Sequence, residues 1–117
     1  MSAQEQLWFA LGYCAFILLI FLIAKAFPPK NINYLYGYRT SKAMRNQDTW
    51  DEANGYSFNI SIKLCLYCFV FPPILYFVYP ENNFLMTVIA NSALLLVSIW
   101  FTERHLDRTF DKDGLRK

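Results

Sequence analysis

Residues 7–24 read LWFALGYCAFILLIFLIA and contain no charged side chain. An α-helix needs about 20 consecutive apolar residues to cross a bilayer, so this stretch predicts a transmembrane helix. Lys25 follows it, and Pro28-Pro29 end the helix because proline has no backbone N–H to donate. We predict a first span over about residues 7–27. The leading residues carry no Lys or Arg and the run is longer than a signal-peptide core, so we expect this helix to be retained.

Two more apolar runs follow, over residues 58–79 and 84–101. The first of them carries Lys63 near its start and Pro72-Pro73 past its middle, and we expect the prolines to kink its helix. Only residues 80–83 separate the two runs. A connection this short makes the second and third helices antiparallel neighbours.

The composition agrees with a membrane protein. Hydrophobic residues make up 56% of the chain and charged residues 17%, which is too apolar for a soluble domain of this length. The predicted fold class is all-α, an integral membrane protein with three transmembrane helices and a cytoplasmic loop or short helix between the first two. We treat residues 1–117 as a single domain, with the loop at 28–57 and a cytoplasmic tail at 102–117.

The three cysteines, Cys14, Cys65 and Cys68, all lie inside apolar runs. An odd number of such thiols does not build a disulfide framework. No second pair and no nearby histidine accompanies the C-x-x-C spacing of the last two, as a metal site would require. We interpret all three as small packing residues, and we predict no metal site and no cofactor.

The basic residues all fall on one side of a three-span arrangement. The leader and the turn at 80–83 contain no Lys or Arg, whereas the loop, its flanks and the tail hold all 11. The positive-inside rule puts these segments in the cytoplasm and the N-terminus outside. The basic residues are interleaved with acidic ones, which is typical of a topology signal and not of a nucleic-acid surface, so we expect no nucleic-acid partner.

The polar segment 37–57 between the first two helices reads GYRTSKAMRNQDTWDEANGYS. We expect Thr40 or Ser41 to cap a short turn. Asp48 is the predicted N-cap of a helix that runs on into the second span. Four side chains share one face of that helix by their spacing: Trp50, Ala53, Asn54 and Ser57.

Arg39 supports two interpretations. A guanidinium is a planar fork of donors that suits a carboxylate or phosphate, so the segment can be a folded cap that binds a partner at the membrane interface. Alternatively, Arg39 pairs with Asp51 or Glu52, and Trp50 packs beneath the loop without a binding role. The residue pattern leaves both interpretations open.

The same segment also carries a family resemblance. Gly37, Arg39-Thr40, Trp50 and Ala53-Asn54, at this spacing between two hydrophobic helices, resemble the motif of the SdpI family of bacterial membrane immunity proteins. Ser41 departs from the pattern, in which a proline often follows the Arg-Thr pair. The resemblance implies protection against a secreted toxin peptide and, in the founding member, capture of a transcriptional repressor at the membrane. It also implies a multi-pass location in the bacterial cytoplasmic (inner) membrane. The candidate ligand- or partner-binding residues that it provides are Gly37, Arg39, Thr40, Trp50 and Asn54.

Glu103, Arg104 and His105, where the third helix leaves its apolar run, and Asn91 near the centre of that helix are secondary candidates. A small membrane enzyme acting at the cytoplasmic interface would use Glu103 and His105. The chain has no nucleophile elbow, no paired histidines and no Gly-rich phosphate loop, so we assign no catalytic residue. For Asn91 we favour a single interhelical hydrogen bond over a polar pathway.

We therefore predict an SdpI-like immunity or signalling protein that protects against a secreted toxin peptide or senses it. The alternatives are the small membrane enzyme and an accessory subunit of a membrane complex. The expected partners are the lipid bilayer and a toxin peptide or a cytoplasmic regulator. Because three helices bury little surface, we also expect a homo-oligomer or a place in a larger membrane complex.

The topology can be tested with cysteines placed at the two ends of the chain. We expect a cysteine at Ser2 to react with a membrane-impermeant thiol reagent applied to intact cells, and a cysteine at Lys117 to stay unlabelled until the cells are opened. The native cysteines lie in apolar runs and serve as the unreactive background. Labelling at Lys117 with protection at Ser2 would reverse the orientation.

Overall fold

The computed structural model describes all 117 residues and contains helices but no strands. A single 3₁₀ turn, Pro80–Asn82, connects the third and fourth helices. Three helical segments are long and apolar enough to cross a membrane, namely Ala3–Ala26, Gln47–Val78 and Pro80–Thr109. The predicted all-α membrane fold is confirmed. The four α-helices are α1 (Ala3–Ala26), α2 (Gln47–Cys68), α3 (Phe71–Val78) and α4 (Asn83–Thr109).

The residue that caps the N-terminus of α2 is not the predicted one. Asn46 is the N-cap: its Oδ1 accepts the Thr49 backbone N–H at 2.9 Å, and Thr49 Oγ1 accepts the Asn46 N–H at 3.1 Å. The prediction of Asp48 as the cap is wrong, because Asp48 lies within the first turn of the helix. Asn46 prevails because the reciprocal pair satisfies two backbone donors at once.

A break separates α2 from α3 just before the proline pair. Pro72 and Pro73 cannot donate to the carbonyls of Cys68 and Phe69, so the α-helix ends at Cys68 and the next two amides bond to carbonyls three residues earlier. The expected kink is therefore a short break that begins ahead of the prolines. A neighbouring helix supplies a weak partner for one freed carbonyl, since Cys14 Sγ on α1 lies 3.8 Å from the Cys68 oxygen.

The side chains buried inside the bundle are mostly small or polar, while most of the large apolar side chains point outward. Phe77 and Leu96, for example, are mostly exposed on the surface that lipid would cover. Small residues let membrane helices approach closely, so that van der Waals packing between the helices takes the place of the hydrophobic driving force of a soluble core. The small buried positions along the helices include Ala10, Cys14, Ala24, Ser61, Cys65, Cys68, Thr87, Asn91, Ser98 and Thr102.

Hydrogen bonds join the helices at the end of the bundle that carries the N-terminus. Asn83 Nδ2 donates to the Pro72 carbonyl of α3 at 3.0 Å, and within α4 the Thr87 hydroxyl orients this side chain by donating to Asn83 Oδ1 at 3.1 Å. Gln6 Oε1 accepts the Phe84 N–H at 2.9 Å. These contacts tie α1, α3 and α4 together beside the 3₁₀ turn.

Asn91 behaves differently from Asn83. Its side chain is 1% exposed, yet neither Oδ1 nor Nδ2 has a hydrogen-bond partner. The predicted interhelical hydrogen bond of Asn91 is therefore wrong.

The two asparagines form a matched pair for mutagenesis. Alanine at either position removes the same atoms, so the cavity left behind is comparable. We expect Asn83→Ala to lower stability by about 1 kcal/mol more than Asn91→Ala, because only Asn83 loses an interhelical hydrogen bond, the one to Pro72. Reversible unfolding in mixed detergent micelles measures the difference. A greater loss at Asn91 would contradict the unpaired state of its amide.

Candidate functional site at the loop end of the bundle

The polar segment folds into a cap at the end of the bundle that carries the connecting loop and the C-terminal tail, which we call the loop end. Its small core joins the loop to α2, α4 and the tail. Leu106 of α4 is fully buried there, and Phe110 lies beside it where the tail begins. The residues of this core are Tyr38, Ala43, Ala53, Leu106 and Phe110.

Asn54 fastens the loop to α2. Its Oδ1 accepts the Tyr38 backbone N–H at 2.6 Å, and its Nδ2 donates to the Trp50 carbonyl at 2.9 Å. The side chain is buried, so each of these bonds replaces one that water would otherwise make. The chain is thereby fixed immediately before Arg39.

Gly37 makes this attachment possible. Its φ is +108°, a region that residues with a Cβ rarely adopt. A Cβ added here would lie 2.6 Å from Asn54 Oδ1 and 2.7 Å from a side-chain carbon of Pro29. The position therefore requires glycine both for its backbone conformation and for its space.

Trp50 is fully buried beneath the loop, and its indole Nε1 donates to the Pro29 carbonyl at 2.8 Å. All four residues of the predicted helical face are buried, so that prediction is confirmed. Of the two interpretations of this segment, the one in which Trp50 packs beneath the loop agrees with its position. Three candidate residues, Gly37, Trp50 and Asn54, thus build the cap from within.

Arg39 is exposed, and its guanidinium Nη1 donates to the backbone carbonyl of Tyr34. The alternative in which it pairs with Asp51 or Glu52 is wrong. Glu52 instead bonds His105 and Arg116, and Asp51 Oδ1 accepts from the Gln47 side chain at 2.8 Å. Arg39 is left without an acidic partner.

Thr40 caps a short turn, as predicted: its Oγ1 accepts the Ala43 N–H at 3.3 Å. Thr40 and Arg39 line one side of a groove of about 410 Å³ that reaches Ile99 on α4. We call this the Arg39 groove. Its lining residues are Tyr34, Gly37, Tyr38, Arg39, Thr40, Met44 and Ile99.

The secondary candidates on α4 point in different directions. His105 Nε2 lies 3.2 Å from Glu52 Oε2, and its ring stacks on Tyr56 at 4.1 Å. Arg104 lies over the Trp100 ring, 4.9 Å from its centroid. Glu103 is on another side of the helix, so the structure does not bring it together with His105 as one catalytic pair.

Glu103 belongs to the surroundings of Tyr38 instead. Burial raises the pKa of the Tyr38 hydroxyl, and the nearby Glu103 carboxylate raises that pKa further. The hydroxyl therefore stays neutral, and it lies 3.4 Å from the Ile99 carbonyl, to which it donates. Tyr38 thus links the loop to α4 directly beneath the Arg39 groove.

The docked C-terminal tail is a feature that sequence reasoning missed. Beyond α4 the chain turns back through an antiparallel bridge between Phe110 and Arg116. Arg116 donates two hydrogen bonds of 2.8 Å to the Asp48 carboxylate, and Asn46 Nδ2 donates to the Gly114 carbonyl at 2.8 Å. The available signals were the turn-forming Asp113-Gly114 and the charge of Arg116, whose partner is distant in the sequence.

Side chains suited to metal binding do not cluster in this structure: no group of three or more His, Cys, Asp or Glu residues could hold a metal ion. The loop end thus offers a groove with one free arginine, bordered by hydroxyl, aromatic and aliphatic groups. Such a groove can bind an anionic or amphipathic ligand at the membrane interface.

These features define a multi-pass helical membrane protein with a folded polar cap at one end. Residues 30–102, more than half of the chain, match the SdpI/YfhL protein family, and the chain belongs to that family. It is similar to a protein of Bacillus subtilis (strain 168) named "Uncharacterized protein YfhL", at 35% identity over 85 residues, which cover 73% of this chain and 74% of that protein. No solved structure matches the chain. The family is not known as an enzyme family.

Two glycines test the role of Gly37 as a matched pair. Gly37→Ala should lower stability by at least about 1–2 kcal/mol, because alanine is strained at positive φ and its Cβ meets Asn54. Gly55 is an exposed residue within α2, and a methyl group added there would meet open space, so Gly55→Ala should raise stability by about 1 kcal/mol. Thermal unfolding in detergent measures both. Equal effects at the two positions would count against the tight packing at Gly37.

Proposed function

We propose that this protein is an SdpI-like immunity or sensing protein, which protects a bacterial cell against a secreted toxin peptide or reports its presence. Family membership and the motif resemblance support the proposal. The observation that carries it is that the motif residues differ in role: three of them make contacts inside the cap, and one is exposed. Gly37, Trp50 and Asn54 are used internally, whereas Arg39 faces solvent without an acidic partner.

A frame of this kind suits recognition. When the backbone on both sides of an arginine is already fixed, binding an anionic group has to order only the side chain, which lowers the entropy cost of binding. Asn54 fixes the residue before Arg39, and the Thr40 turn fixes the residue after it. In this proposal, a toxin peptide bound within the membrane is coupled to the cytoplasmic face through Arg39 and Trp50.

The charge distribution supports a cytoplasmic location for the loop end, with the N-terminus outside. In this orientation a secreted toxin meets the opposite end of the bundle or the helices themselves. The Arg39 groove then lies on the cytoplasmic side of the inner membrane, where a cytoplasmic regulator would have access to it.

The alternative of a small membrane enzyme has less support, because Glu103 and His105 lie on different sides of α4. An accessory-subunit role is favoured by one specific observation. An open aromatic groove of about 410 Å³ runs along α1 and the start of α4, far from the cap. Its lining would fit another transmembrane helix, either from a second copy or from a different chain. The lining residues are Trp8, Phe9, Gly12, Tyr13, Phe16 and Phe84.

The immunity function can be tested by rescue of toxin-exposed cells. Cells that express the chain should survive the secreted peptide toxin encoded nearest to its gene. Arg39→Ala should abolish survival at an unchanged protein level, because the anion-binding group is lost. Arg108→Ala is the matched control, since Arg108 is an exposed arginine outside the cap motif. Absence of rescue by the unaltered chain, or full rescue by Arg39→Ala, would refute the proposal.

A further inference from the structure

The tip of the loop is a hydrogen-bonded turn that exposes two large side chains almost completely. Asn33 Oδ1 accepts the backbone N–H groups of Leu35 at 2.9 Å and Tyr36 at 2.7 Å, and Asn33 Nδ2 donates to the Asn31 carbonyl at 2.9 Å. This turn presents Tyr34 and Leu35, which are 84% and 90% exposed. Exposed apolar groups that are held by such a turn suit insertion into an apolar medium.

The tip lies at the depth where the helices leave their apolar runs. The Tyr36 hydroxyl donates to the Phe27 carbonyl at 2.8 Å, at the C-terminal end of α1. On the other side, the Arg39 groove reaches Ile99, which is still within the uncharged run of α4. Tyrosine is enriched at this depth in membrane proteins, in the layer of lipid headgroups.

The charge of Arg39 is available at the same depth. Lys42 bonds Asp107 at 2.7 Å and Arg116 bonds Asp48, but no carboxylate contacts Arg39. Its Nη1 is held by the Tyr34 carbonyl, which leaves the other guanidinium donors for a ligand. A guanidinium and a phosphate are geometrically matched, because the fork of donors bonds two phosphate oxygens together.

We propose that the Arg39 groove binds the headgroup of an anionic phospholipid. The phosphate is bound by Arg39 with the hydroxyl of Thr40 beside it. The first part of an acyl chain runs along Ile99 and Met44, and Tyr34 and Leu35 enter the surrounding headgroup layer. A lipid fits better than a soluble anion, because its phosphate can bind Arg39 while its apolar part covers the exposed apolar side chains at the same membrane depth. This site goes beyond the proposed function, since the lipid is bound without any toxin.

The test uses the full-length protein in nanodiscs made from equal parts of phosphatidylglycerol and phosphatidylcholine. After gentle extraction, native mass spectrometry counts the lipids that stay bound. We expect the unaltered protein to retain phosphatidylglycerol preferentially, and Arg39→Gln to lower that preference about fivefold, the effect typical of one basic residue at an anionic surface. Arg39→Lys keeps the charge without the fork and should give an intermediate value.

Arg108→Gln is the matched control because it removes one exposed positive charge outside the groove. It should leave the preference almost unchanged. Equal losses in Arg39→Gln and Arg108→Gln would overturn the proposal, since they would indicate general surface attraction. Loss of toxin rescue in Arg39→Ala with undiminished lipid preference in Arg39→Gln would also overturn it, because the arginine would then serve the peptide.

A measurement on the unaltered protein decides the question if the Arg39 variants fail to fold. Solid-state NMR can detect dipolar coupling between lipid phosphorus and the guanidinium carbon of Arg39, once that signal is assigned apart from those of the other arginines. We expect such a coupling in phosphatidylglycerol membranes and a weaker one in phosphatidylcholine alone. No coupling in either membrane would overturn the proposal, whatever the outcome of the toxin rescue.

Discussion

The hydrogen bonds of the Asn54 side chain hold the loop against α2, and the rest of the cap depends on them. One side-chain amide satisfies the backbone of Tyr38 on the loop and of Trp50 on its own helix. Leaving such buried groups unpaired would cost about 1–3 kcal/mol each. The same arrangement excludes a side chain at Gly37 and positions Trp50 to bond Pro29. The backbone position of Arg39 therefore depends on an interaction one residue away.

This dependence explains which parts were predictable from the sequence. Lengths of apolar runs are enough to define three spans, because the bilayer thickness imposes a minimum on each. The buried face of α2 also followed from helical spacing, as Trp50 and Asn54 illustrate. Both arguments concern neighbours along the chain, and neither requires knowledge of how separate segments meet.

Interactions between distant segments were not predictable in the same way. The choice of Asn46 over Asp48 as the helix cap depends partly on the docked tail, because Asn46 also bonds Gly114. The partner of Arg39 is a backbone carbonyl, and a backbone carbonyl has no signature in the sequence. The prediction for Asn91 is wrong because a polar residue in a span suggests a hydrogen-bond partner, and the packed helices provide none.

The docked tail has a further consequence for the charge of the cap. The first turns of α2 present acidic groups that would attract any nearby arginine. Arg116 takes two of them, Asp48 and Glu52, and Lys42 occupies Asp107 on α4. Arg39 has no carboxylate partner, and its guanidinium contacts the Tyr34 carbonyl instead. The motif therefore sets the backbone position of Arg39, while the tail, and not Arg39, supplies the arginine that pairs with the acidic groups at the start of α2.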